Sequence, residues 1–128
     1  MSSIFTKIVG GEIPCHKIME DSEHLAFLDI RPIAPGHTLV IPKKEVDYIF
    51  DLEDKALAGL MVFAKTVARK IRRSVECERV GIMVAGLEVP HAHVHLVPIR
   101  SVGDLNFANA KSAASDQLAK LAEKIRTA

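Results

Sequence analysis

Three histidines at alternate positions are the residues of this chain best suited to chemistry. His91, His93 and His95 lie in the run His-Ala-His-Val-His-Leu-Val, and they are half of the six histidines in 128 residues. Side chains two positions apart project from the same face of a β-strand. The spacing therefore predicts a row of three imidazoles on one strand face, whereas a helix would fan them apart.

These residue types are compatible with three functions. Neutral imidazoles bind zinc, but alternate strand residues lie about 6.5–7 Å apart, which strains three adjacent ligands onto one ion. A polar strand face rich in histidine and without chemistry is the second interpretation. The third is nucleophilic catalysis, because a neutral imidazole attacks phosphorus without prior deprotonation, and neighbouring imidazoles can stabilise charge and protonate a leaving group. The spacing favours catalysis and leaves the other two interpretations open.

The elements that must position these residues follow from the apolar spacing. A long helix from an N-cap at Asp51 to about residue 74 is indicated by an apolar stripe of helical period. A short helix over 4–9 is expected to end at Gly10-Gly11, and a C-terminal helix spans about 115–125. The predicted strands cover 16–20, 24–30, 37–41, 79–84 and 92–99. This pattern predicts an α+β protein in which helix backs an antiparallel sheet.

Composition limits the class of protein and of partner. Hydrophobic residues make up 48% and charged residues 26%, as in one soluble domain spanning 1–128. The net charge of +1 argues against a large surface for duplex nucleic acid. Cys15 and Cys77 are far apart and form no CxxC motif, so a reducing compartment is expected. With no visible signal peptide and no apolar stretch of membrane-span length, we expect a cytoplasmic protein that binds neither nucleic acid nor membrane.

The histidine run also resembles a known family. HAHVHLV fits the pattern His-φ-His-φ-His-φ-φ (φ apolar) of the histidine triad (HIT) family of nucleotide hydrolases and transferases. IFTKIVGGEIPCHKIMED and LAFLDIRPIAPGHTLVIPKK resemble that family's N-terminal and middle segments, in the same order and spacing. The likeness covers about residues 4–98, leaves 99–128 as an extension, and is greatest to the Hint-type phosphoramidases. It implies a five-stranded antiparallel sheet with one long, one N-terminal and one C-terminal helix, in a homodimer with the long helix and the 79–84 strand near the interface.

The resemblance assigns a role to each polar residue of the site. It implies that His93 is the nucleophile, that the main-chain carbonyl of His91 orients its ring, and that His95 donates to the α-phosphate. His37 matches a fourth active-site histidine, and Asp29 matches the carboxylate that binds the ribose hydroxyls. An apolar slot for the base is implied by four further side chains: Phe5, Ile8, Phe27 and Ile30.

Two features depart from the family pattern. Leu87 and Glu88 stand where many relatives carry a Gln and a Ser or Thr that contact phosphate. A carboxylate there repels an anionic substrate unless it is protonated or turned away, although Glu88 could also supply a different polar contact. Backbone N–H groups from Gly86 to Val89 could still hold phosphate oxygens. The extension after the triad is either packing or a specificity element, and an apolar stripe in it (Leu118, Leu121 and Ile125) favours packing.

The resemblance implies hydrolysis of a nucleoside 5′-monophosphate joined to a leaving group, through a covalent nucleotidyl-His93 intermediate. Phosphoramidate bonds and a purine nucleoside, adenosine first, are the expected substrates, with no metal or other cofactor in the covalent chemistry. Cleavage of dinucleoside polyphosphates by the same residues is the alternative enzyme activity. A nucleotide-binding or partner-binding module with little turnover is the alternative outside enzymology, and Leu87 and Glu88 favour it. A metal-binding protein is the third alternative.

Overall fold

The computed structural model describes residues 2–128, in which five strands form one antiparallel sheet. The strands are β1 (Lys17–Glu20), β2 (His24–Leu28), β3 (Thr38–Pro42), β4 (Arg79–Met83) and β5 (Val94–Ile99), in the spatial order β1-β2-β3-β5-β4. The helices are α1 (Ile4–Val9), α2 (Asp54–Ser74) and α3 (Ser115–Arg126). Short 3₁₀ turns span Ile49–Asp51, Val102–Asp104 and Phe107–Asn109. The α+β class, the five strands and the three helices agree with the expectation from sequence.

Both faces of the central strands are covered, so β2 and β3 are buried along their whole length. One face packs against α2 and α3, where the apolar stripe of α2 supplies fully buried residues such as Leu60 and Ile71. The other face carries a smaller apolar cluster beneath α1, built around Phe5 and Phe27. Successive side chains of a strand point to opposite faces, which is why neighbouring apolar residues of β2 and β3 belong to different clusters.

Several element boundaries differ from the sequence prediction. Asp51 does not cap α2: it ends a 3₁₀ turn, and the helix begins at Asp54 with Glu53 as a cap whose side chain makes no capping hydrogen bond. Ile49, the first residue of this turn, and Leu52, just after it, are buried, which holds the chain off the helical path for another half turn. Burial of apolar neighbours thus overrides the capping preference of an aspartate.

The two strands that lead into the site are also shorter than predicted. β2 ends at Leu28 because the Asp29 carboxylate accepts the Arg31 N–H at 2.9 Å and turns the chain. β5 begins at Val94 instead of residue 92, because the Ala92 N–H donates to the Val46 carbonyl at 2.7 Å, away from the strand ladder. Residues of the candidate site therefore lie just beyond the ends of strands.

The terminal segments pack as closely as the sheet. Ser3 caps α1 by accepting the Thr6 N–H at 3.0 Å. The helix ends at Val9 with Gly10 as its C-cap, followed by Gly11 at φ +81° in the left-handed region, as the Gly-Gly pair predicts. α3 packs against β1, β2 and α2, and its stripe enters the main core, which supports the packing interpretation of the extension. Among residues 2–128, none of the helices combines the length and apolar character needed to cross a bilayer.

Candidate active site

The three triad histidines lie on the sheet face that α1 covers. His95 is in β5, whereas His91 and His93 belong to the segment just before it. The alternation continues through this irregular segment: the apolar residues between the histidines enter the core beneath α2, and the rings of His91 and His93 contact Phe5 edge to face. The centroids of the His93 and His95 rings are 4.9 Å apart, and that of Phe5 is 5.0 Å from His93. The shared face expected from the spacing is present without a continuous strand.

His93 has one ring nitrogen committed and one available. Its Nδ1–H donates to the main-chain carbonyl of His91 at 2.8 Å. Because a neutral imidazole carries a single proton, this bond leaves the lone pair on Nε2. The ring is buried and held edge to face against Phe5, so little rotational freedom remains. The arrangement can present an unprotonated nitrogen to an electrophile in a fixed direction.

His37 and His95 form a chain of hydrogen bonds that fixes their protons. The Ile33 N–H donates to His37 Nδ1 at 3.0 Å, so that nitrogen is unprotonated and His37 Nε2 carries the proton. His37 Nε2–H then donates to His95 Nδ1, also at 3.0 Å, which places the His95 proton on Nε2. Burial lowers the pKa of both rings to about 4, and the neighbouring His93 and His37 contribute to the shift of His95. At neutral pH, His95 is therefore a neutral ring with an N–H to donate.

Asp29 lies beside this pair at the end of β2. One carboxylate oxygen accepts the Arg31 N–H, and the other is 3.6 Å from His37 Nε2, beyond hydrogen-bonding distance. Burial raises the pKa of Asp29, while the Arg31 N–H and the neighbouring His95 and His93 oppose the increase. The second oxygen is available as an acceptor, which suits the role of binding hydroxyl groups.

The donor atoms of Asp29, His37 and His95 lie within 4.8 Å of one another, close enough to surround a metal ion. The hydrogen bond from the Ile33 N–H argues against that use. It requires a lone pair on His37 Nδ1, so a metal on Nε2 would need the ring to become an anionic imidazolate. The proton chain accounts for the same contacts with neutral rings.

His91 has a different environment from the other two triad members. Its Nε2–H donates to the Pro42 carbonyl at 2.8 Å, and its Nδ1 lies 2.9 Å from the Ser3 hydroxyl. The ring is fully buried, and burial lowers its pKa. Both ring nitrogens of His91 thus have protein partners, and its main-chain carbonyl is the group that contacts the His93 ring nitrogen.

Comparison with known proteins decides the family. The family model described as HIT domain matches residues 10–102. The chain belongs to the histidine triad family. A curated HIT relative, an adenosine 5′-monophosphoramidase of Schizosaccharomyces pombe, is 38% identical over 103 residues, covering 77% of this chain and 74% of the relative. The protein named hit from Bacillus subtilis is 38% identical over 120 residues, covering 88% of this chain and 81% of its own length.

Solved HIT structures share the whole architecture. A hypothetical histidine triad nucleotide-binding protein from Sulfolobus tokodaii superimposes with a TM-score of 0.86 and 28% identity, over 96% of this chain and 89% of that one. A Hit-like protein from Bartonella henselae, described as involved in cell-cycle regulation, gives a TM-score of 0.85 and 29% identity, over 98% and 95% of the two chains. The C-terminal extension is therefore included in the structural likeness.

The apolar residues expected to hold a base are only partly together in this HIT protein. Phe5 and Phe27 are in edge-to-face contact, with centroids 5.7 Å apart, and Ile8 and Val89 pack against their cluster. Ile30 is 66% exposed and belongs to neither apolar cluster. The structure brings four apolar residues to the triad face and places Ile30 at the surface beyond Asp29.

The loop that departs from the family pattern is directed to solvent. Leu87 is 92% exposed, and Glu88 is exposed beside it. Val89, the next residue, turns back toward the apolar cluster near Phe5, and its carbonyl accepts the His91 N–H at 2.8 Å. A phosphate contact from Glu88 or Val89 stays a prediction.

Some residues at the site were missed by sequence reasoning. Phe107, in the extension, contacts His95 edge to face with centroids 5.0 Å apart and is still 46% exposed. A lone aromatic in the polar segment 106–112 is the signal that could have indicated it. Glu45 and two residues near the N-terminus surround His91, and nothing in their spacing distinguishes them from surface residues.

Proposed function

We propose that this HIT protein hydrolyses a nucleoside 5′-monophosphate joined to a leaving group, through a covalent nucleotidyl-His93 intermediate. The observation that carries the proposal is the distribution of protons over the rings. His93 offers a lone pair on Nε2, and the adjacent His95 offers a proton on Nε2. A nucleophile and a proton donor are thus held side by side before substrate arrives, without ionisation of either ring.

The reaction has two steps. His93 Nε2 attacks the α-phosphorus, and the bond from phosphorus to the leaving group breaks as the leaving atom takes the Nε2 proton of His95. The negative charge left on the His95 ring is balanced by the positive charge on the adjacent nucleotidyl-His93 until water returns the proton. Water then attacks the phosphorus of nucleotidyl-His93, returns a proton to His95 and releases the nucleoside monophosphate with the neutral His93 ring. During both steps, the carbonyl of His91 stabilises the positive charge that His93 acquires, because it accepts the Nδ1–H.

The surroundings of the triad support a nucleotide as the substrate. Phe5 and Phe27 offer an apolar surface for a purine, and the available Asp29 oxygen can accept the ribose hydroxyls. A phosphoramidate of adenosine is the proposed substrate class, supported by the name of the Schizosaccharomyces pombe relative. Dinucleoside polyphosphates would use the same residues and need more room.

We further propose a homodimer and a reducing compartment. β4 is an edge strand whose outer side has no strand partner among residues 2–128. Ile82 and Val84 beside that edge and Met61 on α2 are exposed apolar residues that line a cavity of about 480 Å³ reaching His93. A second copy pairing along β4 would cover them. Within the described chain, Cys15 and Cys77 are both free thiols, as suits a cytoplasmic protein.

The test of the activity is burst kinetics with a fluorogenic adenosine phosphoramidate. The wild type should release amine in a burst followed by steady turnover, and intact-mass analysis of quenched enzyme should show one added nucleotidyl group. His93→Ala should give neither, with an unchanged far-UV spectrum as the control for folding. Equal, near-zero rates in both proteins would refute the enzyme and favour a binding module.

Two further measurements separate the remaining possibilities. A panel of adenylated amines, acyl adenylates and dinucleoside polyphosphates ranks the leaving groups, and a higher kcat/KM for dinucleoside polyphosphates would overturn the phosphoramidate assignment. Light scattering during gel filtration tests the dimer. Ile82→Asp should produce a monomer, because it places a charge in the proposed apolar interface.

A further inference from the structure

A compact set of hydrogen bonds surrounds His91 on the side away from His93. We call it the Glu45 network, and it consists of Ser3, Thr6, Glu45 and His91. One Glu45 oxygen, Oε1, lies 2.6 Å from both the Ser3 main-chain nitrogen and the Thr6 hydroxyl. The Ser3 hydroxyl lies 2.9 Å from His91 Nδ1, and the Thr6 hydroxyl is 3.3 Å from that nitrogen. Residues up to 88 positions apart in the chain therefore meet at one ring nitrogen.

Counting protons assigns a direction to every bond in the Glu45 network. His91 Nε2 gives its proton to the Pro42 carbonyl, so Nδ1 of the neutral ring is an acceptor. The Thr6 hydroxyl has one proton, and its 2.6 Å contact with the carboxylate uses it. The Ser3 hydroxyl is then the donor to Nδ1, and it accepts the Thr6 N–H in return. Each donor has one acceptor, and the ring is held at both nitrogens.

Glu45 is ionised in this arrangement. Its pKa is lowered to about 2, first by the hydrogen bond from the Thr6 hydroxyl and then by the Ser3 N–H. Glu45 is thus a carboxylate at any pH at which the protein works, and hydrogen bonds to a charged acceptor are the stronger kind. Two of them tie the first turn of α1 to residue 45, just after β3.

The same turn carries Phe5, which lies between the two anchored residues. Its ring contacts His91 and His93, with centroids 5.9 and 5.0 Å apart. Glu45 is therefore connected to the nucleophile by two routes. One runs through Ser3 to His91, whose carbonyl holds His93 Nδ1–H, and the other runs through the backbone of α1 to Phe5.

We propose that Glu45 is a positioning residue for catalysis: through Ser3 and Thr6, it fixes His91 and Phe5, and with them the orientation of the His93 ring. This inference rests on the proposed function, in which His93 is the nucleophile. Glu45 makes no contact with the triad face itself, so its effect is on the geometry of His93 and not on substrate.

The kinetic test compares Glu45→Ala with Glu45→Gln. Alanine removes the acceptor, whereas glutamine keeps an oxygen at the same reach and loses only the charge. Misplacing a reacting group by about 1 Å can cost on the order of 100-fold in rate, so Glu45→Ala should lower kcat for the fluorogenic phosphoramidate by about 10- to 100-fold. Glu45→Gln should recover most of that loss. Glu12→Ala, which removes an exposed acidic side chain beyond the end of α1, is the matched control and should keep the wild-type kcat.

A second variant tests the route through α1. Thr6→Val keeps the shape of the side chain and removes its proton, and Thr6→Ser restores the hydroxyl. Thr6→Val should reproduce part of the loss of kcat seen in Glu45→Ala, and Thr6→Ser should not. In the double variant Thr6→Val/Glu45→Ala, the fold-loss of kcat should be smaller than the product of the two single fold-losses, because both residues act through one network. Wild-type kcat in Glu45→Ala, or equal losses in Glu45→Ala and Glu12→Ala, would overturn the proposal.

A nuclear magnetic resonance measurement decides the matter independently of turnover. Long-range ¹H–¹⁵N spectra of the histidine rings distinguish a proton on Nδ1 from one on Nε2. The wild type should show His91 with its proton on Nε2 and His93 with its proton on Nδ1, and Glu45→Ala should shift or broaden both sets of signals. If the wild type has no activity, the proposed function fails, and this spectrum still tests the network. Ring signals unchanged in Glu45→Ala would refute it.

Discussion

Replacing His37 should remove a defined part of the pH dependence of stability. Burial lowers the pKa of His37 to about 4, against about 6.5 in the unfolded chain. As pH falls below 6.5, His37 becomes protonated in the unfolded chain but stays neutral in the folded protein. The stability contributed by the neutral ring is therefore complete above pH 6.5, declines between pH 6.5 and 4, and is lost below pH 4.

The magnitude follows from these two values. A shift of one pKa unit corresponds to about 1.4 kcal/mol, so the whole effect is about 3 kcal/mol, of which about 2 kcal/mol is lost between pH 7.5 and pH 5. His95, with a pKa also lowered to about 4 by burial and by the charges of His93 and His37, follows the same sign. Because the two rings share a hydrogen bond, the loss for both together has an upper limit of about 4 kcal/mol at pH 5.

His37→Gln is the informative variant, since glutamine does not titrate and retains an N–H that can donate to His95. Urea unfolding followed by circular dichroism at pH 7.5 and pH 5 gives the free energy of unfolding at each pH. The wild type should lose about 2 kcal/mol more than His37→Gln between the two conditions. The substitution also changes the free energy of unfolding by an amount that does not depend on pH. That amount is measured at pH 7.5, and it cancels when the losses of the two proteins between pH 7.5 and pH 5 are compared.

Equal losses in the two proteins would refute the reasoning. They would mean that folded His37 takes up its proton as readily as the unfolded chain does. The hydrogen bond from the Ile33 N–H would then not hold Nδ1 unprotonated, and the assignment of the His95 proton to Nε2 would lose its support.

Three other perturbations test the packing around the site. Gly36→Ala should lower the free energy of unfolding by about 1 to 3 kcal/mol, because the residue has φ +97° and an added Cβ would lie 3.1 Å from Pro98 Cγ; an unchanged urea midpoint would contradict this. Leu60→Ala should cost about 2 to 5 kcal/mol in the same assay, because the side chain is fully buried between α2 and the sheet, and a loss below 1 kcal/mol would show that the core collapses around the gap. Phe107→Ala should expose the His95 ring to water and so raise the pKa of His95 toward its ordinary value. Nuclear magnetic resonance titration measures this pKa, and an unchanged value would show that Phe107 does not shield the His95 ring.

The order of helices and strands could be predicted because each depends on local pattern. The period of the α2 stripe and the alternation in β2 and β3 reflect burial of one or both faces, which a sequence records directly. The ends of elements were less predictable. Asp51 is a good capping residue by type, and the burial of Ile49 and Leu52 decided against it.

The same division applies to the site. The alternating histidines determined that three rings share a face, and the family likeness predicts that His93 is the nucleophile among them. The position of each proton was decided by groups distant in the chain, such as the Pro42 carbonyl and the hydroxyl of Ser3. Spacing cannot reveal these contacts, because main-chain groups are the same in every residue.

The sequence by itself therefore determined the family and the face that the three histidines share, since residue type and side-chain period are local properties. Only the tertiary structure decided which ring nitrogen is free and which is protonated, and it alone showed that Glu45 is connected to His91 through Ser3 and that Phe107 contacts His95. The physical reason is that a hydrogen-bonded tautomer is set by every donor and acceptor around the ring, and these come together only when the chain folds.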